Sequence, residues 1–165
     1  MREEVRRLVV QRLIDDTELY PAMVPGGIYD RKLARGGTQG ATPAVWAIDP
    51  GDPARIARLR PAIAVFGPNE VDAPDGPVQT EDLQLKNGFL RVFIYAPRTS
   101  QGKDSLDEID ARVRSRLQGW QTQLSHGFPM TVVALDGIES TDSDEFDDAI
   151  VTYRRYVAEY LRPAF

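Results

Sequence analysis

Between residues 83 and 124 the spacing of apolar side chains changes once, from every second residue to every third or fourth, and this change constrains the fold more than any other feature of the chain. In LQLKNGFLRVFIYAP, residues 83–97, Leu90, Val92 and Ile94 fall on one face and Phe89, Arg91, Phe93 and Tyr95 on the other. That is the two-residue repeat of a strand. Lys86-Asn87-Gly88 is expected to bulge or bend it. Ser105-Leu106-Asp107-Glu108 then reads as a capping box, in which the serine bonds the third backbone amide and the glutamate reaches back. Leu106, Ile109, Val113, Leu117, Trp120 and Leu124 follow at helical spacing, so the helix is expected to run on to Gly127 and Pro129. A strand followed directly by a helix points to a mixed α and β domain.

The flanking segments fit the same plan. Residues 2–15 place Val5, Leu8, Val9, Leu13 and Ile14 on one helical stripe, with Glu3 and Glu4 in the first turn where they complement the helix dipole. Pro21, Pro25 and Gly26-Gly27 break the chain, and a short strand is expected over 28–33. Residues 34–60 read as loop and turn with one apolar anchor, AVWAID, and stand out as an insertion. Pro61 to Phe66 has the apolar character of a buried strand stopped by Gly67-Pro68. Residues 67–80, rich in proline and acid, are expected to form an exposed arm between two strands. Met130 to Leu135 is another strand. The last segment is ambiguous: Ile150, Tyr153, Tyr156, Val157, Tyr160 and Leu161 fit a helical stripe, while their β-branched and aromatic character favours a strand. No linker divides the 165 residues, which suit one domain.

Composition removes several kinds of chemistry. There is no cysteine, hence no disulfide, thiolate metal site or thiol nucleophile. A net charge of −5 repels phosphate, which argues against general nucleic-acid binding. No apolar run approaches the roughly 20 residues that span a bilayer, and the first residues lack the apolar stretch of a signal peptide, so a soluble, cytoplasmically made chain is expected.

Individual candidates resolve the same way. The single histidine, His126, follows Ser125, yet no Gly-x-Ser-x-Gly elbow supplies a nucleophile, and a dipole-complementing role at a helix end accounts for it. The acidic run Glu139, Asp142, Asp144, Glu145, Asp147, Asp148 fails the calcium-loop pattern, because Phe146 and Asp147 stand where an acid or amide and a glycine are required. It is better read as a solvated surface loop than as a metal site. Gly36-Gly37-Thr38-Gln39-Gly40 lacks the Walker lysine and the dinucleotide spacing. Arg112, Arg114 and Arg116 are expected to pair with Asp107, Glu108 and Asp110 on a solvated helix face. Arg154-Arg155 beside Tyr153 and Tyr156 is better suited to a subunit contact than to stacking on a base. Neither a catalytic constellation nor a cofactor or metal site is expected.

The order of these elements resembles the bacteriophage tail terminator, or tail completion, family. The resemblance rests on the amphipathic helix Val5 to Ile14, the phrase GGIYDR, RPAIAVF, the proline-rich acidic arm, FLRVFIYAP, SLDEIDARVRSRLQGW, MTVVALDG and a closing RRYVAEY. It implies an α+β fold with two helices packed on an antiparallel or mixed sheet, long loops, and a final segment that is a strand paired with FLRVFIYAP. It further implies a non-enzymatic virion subunit, without cofactors, that forms a homo-oligomeric ring, usually a hexamer. Such a ring sits at the head-proximal end of the tail tube and joins it to the head connector, with DNA passing through an acidic lumen. The interface elements it suggests are the arm with Val71 and Val78, the loop over 34–60, the acidic loop with Asp142 and Asp144, and Arg154 and Arg155. Another neck, head-completion or minor tail protein is the nearest alternative reading, and a metal-dependent hydrolase using the acidic loop a more distant one.

Overall fold

A computed structural model describes residues 2–30, 61–72, 83–135, 137, 139–140 and 149–163. The chain is α+β. Helix α1 spans Arg2–Ile14, and strands β1 (Ile28–Tyr29), β2 (Ala62–Asp72) and β3 (Leu83–Pro97) follow. Helix α2 (Ser100–Leu117) leads into β4 (Gln121–Gln123), β5 (Pro129–Ala134), β6 (Glu139–Ser140) and β7 (Ala149–Pro163). The strands join one mixed sheet in the order β1-β2-β3-β7-β5-β4, with β6 paired to β7 beyond the end of β5. Among the described residues only the β1–β2 pair is parallel.

The spine is the antiparallel pairing of β3 with β7, unbroken from Leu83↔Pro163 to Pro97↔Ala149. The closing segment is therefore a strand, and its apparent helical stripe is an accident of composition. With a partner on each side, its β-branched and aromatic residues pack on both faces of the pleat. Alternation along the strands divides the core in two. Ile63, Val65, Leu90, Val92, Ile94, Met130, Val132, Tyr156, Ala158 and Tyr160 share one cluster with Val5, Val9 and Leu13 of α1 and with Leu106, Ile109, Val113 and Leu117 of α2. Ala62, Ala64, Phe93, Tyr95 and Val151 form a second cluster on the opposite face. Val5, Val9 and Leu13 are fully buried. Together they supply on the order of 5–9 kcal/mol of gross apolar burial, well above the marginal stability of a short helix on its own.

Several boundaries differ from those expected. Helix α2 begins at Ser100, capped by Thr99, whose Oγ1 accepts from the Gly102 amide at 2.9 Å. Ser105 lies inside the helix and donates to the Gln101 carbonyl at 3.0 Å, so no capping box forms. The helix ends at Leu117, not near Gly127. Gly119 adopts φ +74°, and its amide donates to the Val132 carbonyl while the Val132 amide donates to Trp120. Strand pairing with β5 thus takes the chain out of the helix. Leu124 still reaches the core, but from a hairpin.

Gly67-Pro68 does not stop β2. The register shifts between Phe66 and Asn69, and pairing with β3 resumes from Asn69↔Phe89 to Asp72↔Lys86. Residues 67–72 are thus strand, not arm. A bulge of this kind demands the glycine: Gly67 has φ +109°, and a β-carbon there would lie 2.7 Å from the Phe89 carbonyl oxygen. The expected strand over 28–33 is only Ile28–Tyr29 within the described residues. The insertion at 34–60, the arm beyond residue 72 and the acidic loop after Ser140 lie outside them.

Candidate functional site

The bend in β2 forms one side of a concavity. The first turns of α1 pass over it, and the far end of β7 closes it. The cavity encloses about 530 Å³ and is lined by Arg2, Glu3, Arg6, Phe66, Pro68 and Arg162, among others. Arg2 and Arg6 are one helical turn apart and so project on the same side of α1. Arg6 Nη1 donates to the Gly67 carbonyl at 2.8 Å, tying the helix to the bulge. Phe66, 40% exposed, gives the cavity an aromatic wall.

Glu70, just beyond the bulge, holds Arg162 of the cavity wall in place. The Tyr160 hydroxyl donates to its Oε1 at 2.6 Å, and Arg162 Nη1 donates to Oε2. Burial pushes the Glu70 carboxyl up, but these two hydrogen bonds outweigh it and hold the group below the ordinary glutamate range, with Arg162 and Arg2 adding charge attraction. Burial pushes the Tyr160 hydroxyl well above its usual value, and the Glu70 carboxylate it bonds reinforces that shift. Tyr160 therefore stays a neutral donor. Arg162 is held in place by a carboxylate while its remaining N–H groups can bond elsewhere, since a guanidinium carries five donors.

Two further ionic clusters hold elements together. Arg154 and Asp110 form a buried bidentate pair from β7 to α2, Nε to Oδ1 and Nη2 to Oδ2, both 2.9 Å. Arg154 Nη1 also donates to the Leu135 carbonyl at 3.2 Å. Asp16, just after α1, accepts from Arg112 Nε at 2.6 Å and Nη2 at 2.8 Å, and its Oδ1 also accepts the Glu18 amide. The Arg112 hydrogen bonds hold the Asp16 carboxyl below the ordinary aspartate range. Arg112 and Arg116 thus face acids in the turn after α1 rather than those of their own helix.

The interface candidates are scattered. Val71 stands 47% exposed on β2 beyond the bulge. Arg154 is turned inward to Asp110, whereas its neighbour Arg155 is exposed on the opposite face of β7. Tyr153 packs on Phe93, ring centroids 5.1 Å apart, and Arg91 lies over its ring at 5.8 Å. Val78, Asp142 and Asp144 lie outside the described residues. His126 is not at a helix end. It occupies the β4–β5 turn, where Nδ1 accepts from the Phe128 amide and Nε2 lies 2.9 Å from the Leu161 carbonyl oxygen. Glu4 braces the same turn by accepting from the Ser125 amide and hydroxyl, a more specific role than dipole compensation.

The arginine pocket itself was not expected. The i, i+4 pair Arg2 and Arg6 was visible as a possible signal, but Arg162 and Phe66 join it only through the bulge and the β2–β3–β7 pairing. Among the described residues no cluster of three histidine or carboxylate side chains could hold a metal ion, and no helix is long and apolar enough to cross a membrane.

No protein-family model matches the chain, and no curated protein does. The fold is similar to a solved structure with a TM-score of 0.53 and 14% identity, covering 96% of this chain and 94% of that one, a likeness that speaks for the fold alone.

Proposed function

We propose that this chain is a structural subunit of the phage tail terminator type. Copies form a ring, a hexamer by analogy with that family, at the head-proximal end of the tail tube, and the ring joins the tube to the head connector. Helices α1 and α2, which share one core cluster with the sheet, make the subunit a stiff block, and its rims and connections meet other copies. The observation that carries this reading is how the ionisable side chains are used. Arg154 with Asp110, Arg112 with Asp16, and Arg162 with Glu70 each bind one element to another. Meanwhile Phe66 and Val71 keep large apolar surface outside, along one strand. Rigid blocks with exposed apolar rims suit assembly. The acidic balance of the chain suits a lumen through which DNA passes without sticking.

The test is direct. Purified protein is sized by light scattering and imaged by negative-stain electron microscopy, alone and with tail tubes. Closed rings of uniform diameter, seated at one end of the tubes, are the expected result. Monomers at the highest soluble concentration, with bare tube ends, would refute the reading.

A further inference from the structure

We infer that the arginine pocket at the bend of β2 receives the acidic segment 141–148 of a second copy, so that neighbouring subunits join head to tail. This inference rests on the assembly reading above and specifies its contact.

The pocket sets its own requirements. Arg2, Arg6 and Arg162 converge on one cavity, beside an apolar wall of Phe66 and Pro68. Opposing them is Glu3 in the lining, while Glu70 beside Arg162 is already engaged by Tyr160 and Arg162. Arg6 spends one of its donors on the Gly67 carbonyl. Guanidinium forks of this kind bind carboxylates through paired hydrogen bonds. A fitting occupant is a short extended chain with several carboxylates and an aromatic ring among them. The sequence contains one such stretch, TDSDEFDD at 141–148, with Asp142, Asp144, Glu145, Asp147 and Asp148 around Phe146. A polyphosphate is a poorer match, because it has nothing apolar to lay against Phe66 and Pro68.

Connectivity decides whether the contact lies within one subunit or between two. The segment is tethered at Ser140, opposite Thr152, and at Ala149, the first residue of β7. The pocket lies around Asn69, whose partner Phe89 is opposite Val157, on a strand two places across the sheet from β7. At about 3.3 Å per residue along strands and about 4.8 Å between them, a path from Ser140 to the pocket and back to Ala149 requires roughly 50 Å of chain. The nine peptide steps from Ser140 to Ala149 span at most about 32 Å. The segment cannot reach its own subunit's pocket. Donor and acceptor surfaces are therefore different patches at different ends of the subunit, which is the geometry of a heterologous contact. Repeated around an axis, such a contact closes a ring.

The experiment compares the full-length wild type with four variants: Arg2→Glu, Arg2→Glu/Arg6→Glu, Asp142→Lys/Asp144→Lys/Asp147→Lys, and the two larger sets combined. Arg2→Glu alone serves as the milder pocket variant, since an acid in the first helical turn suits the dipole and preserves the fold. Circular dichroism and thermal melting establish that each is folded. Assembly is measured by light scattering and sedimentation across salt concentrations. The expected result is at least about a tenfold loss of assembly affinity in each single-set variant, with steeper loss in salt for the wild type. Mixing the two single-set variants restores association, because alternating copies meet through native and charge-swapped contacts in turn, and the combined charge swap recovers self-assembly. If the wild type assembles and the folded single-set variants assemble equally well, this contact is wrong while the ring reading stands. A wild type that stays monomeric removes the ring reading and this inference together. Should the pocket variants instead lose binding to a DNA fragment with assembly unchanged, the occupant is nucleic acid and the inference is overturned.

Discussion

Replacing Arg154 by methionine should destabilise the subunit far more than its conservative volume suggests. The side chains of Arg154 and Asp110 are 9% and 11% exposed, and they share two hydrogen bonds of 2.9 Å. Hydrogen bonds to charged groups contribute about 1.5–3 kcal/mol each. Losing both, with the Asp110 carboxylate left buried, is expected to cost about 3–5 kcal/mol, the range found when one partner of a buried pair is removed. For a domain of this size that corresponds to a fall of about 10 °C in Tm. The pair itself is another matter. The double variant Asp110→Leu/Arg154→Met removes both charges together and should return to within about 1 kcal/mol of wild type, because the desolvation cost disappears with the attraction. Urea unfolding followed by circular dichroism measures both effects, with unchanged m-values confirming a common denatured state. A single variant that loses under about 1 kcal/mol, or a double variant no better than the single, would refute the view that this pair locks α2 to β7 at the expense of buried charge.

Two further outcomes follow from other contacts. Gly102→Ala should destabilise by about 3 kcal/mol in the same assay, although helix propensity alone predicts a gain of about 1 kcal/mol; a β-carbon at Gly102 would lie 1.9 Å from the Pro97 carbonyl oxygen, and a stabilised variant would mean that α2 does not start against the end of β3 as described. Stability should also decline on acidification. Asp16 and Glu70 both have folded-state pKa values below their ordinary ones, so their contribution is present above the unfolded values and is lost as pH falls through the folded ones. The urea midpoint should therefore drop below about pH 4, and Asp16→Asn should flatten that dependence; a variant that tracks the wild type would show that Asp16 does not contribute it.

The two clusters of the core have different roots in the sequence. The helix-facing one was legible because Leu90, Val92 and Ile94 alternate with Phe93 and Tyr95, and because Val5, Val9 and Leu13 recur at helical spacing. Periodicity is a local property, and a strand or helix that buries one stripe must carry it in its own residues. The same local logic failed at Leu117. Trp120 and Leu124 continue the helical rhythm, yet Trp120 accepts from the Val132 amide of β5 and Leu124 donates to the Phe128 carbonyl, so segments farther along the chain draw them into a hairpin.

Local pattern by itself thus determined the mixed α and β class, helix α1, strand β3 and the body of α2, since each buries a stripe readable within a dozen residues. The family resemblance, not the periodicity, indicated that the closing segment is a strand. Only the tertiary structure decided that β2 continues past Gly67-Pro68, that Arg154 is buried while Arg155 is exposed, and that Arg2, Arg6 and Arg162 share a cavity. These features depend on register between strands and on which face of the pleat a residue occupies. A one-residue bulge reverses that face, and nothing in the local pattern of hydrophobicity records it.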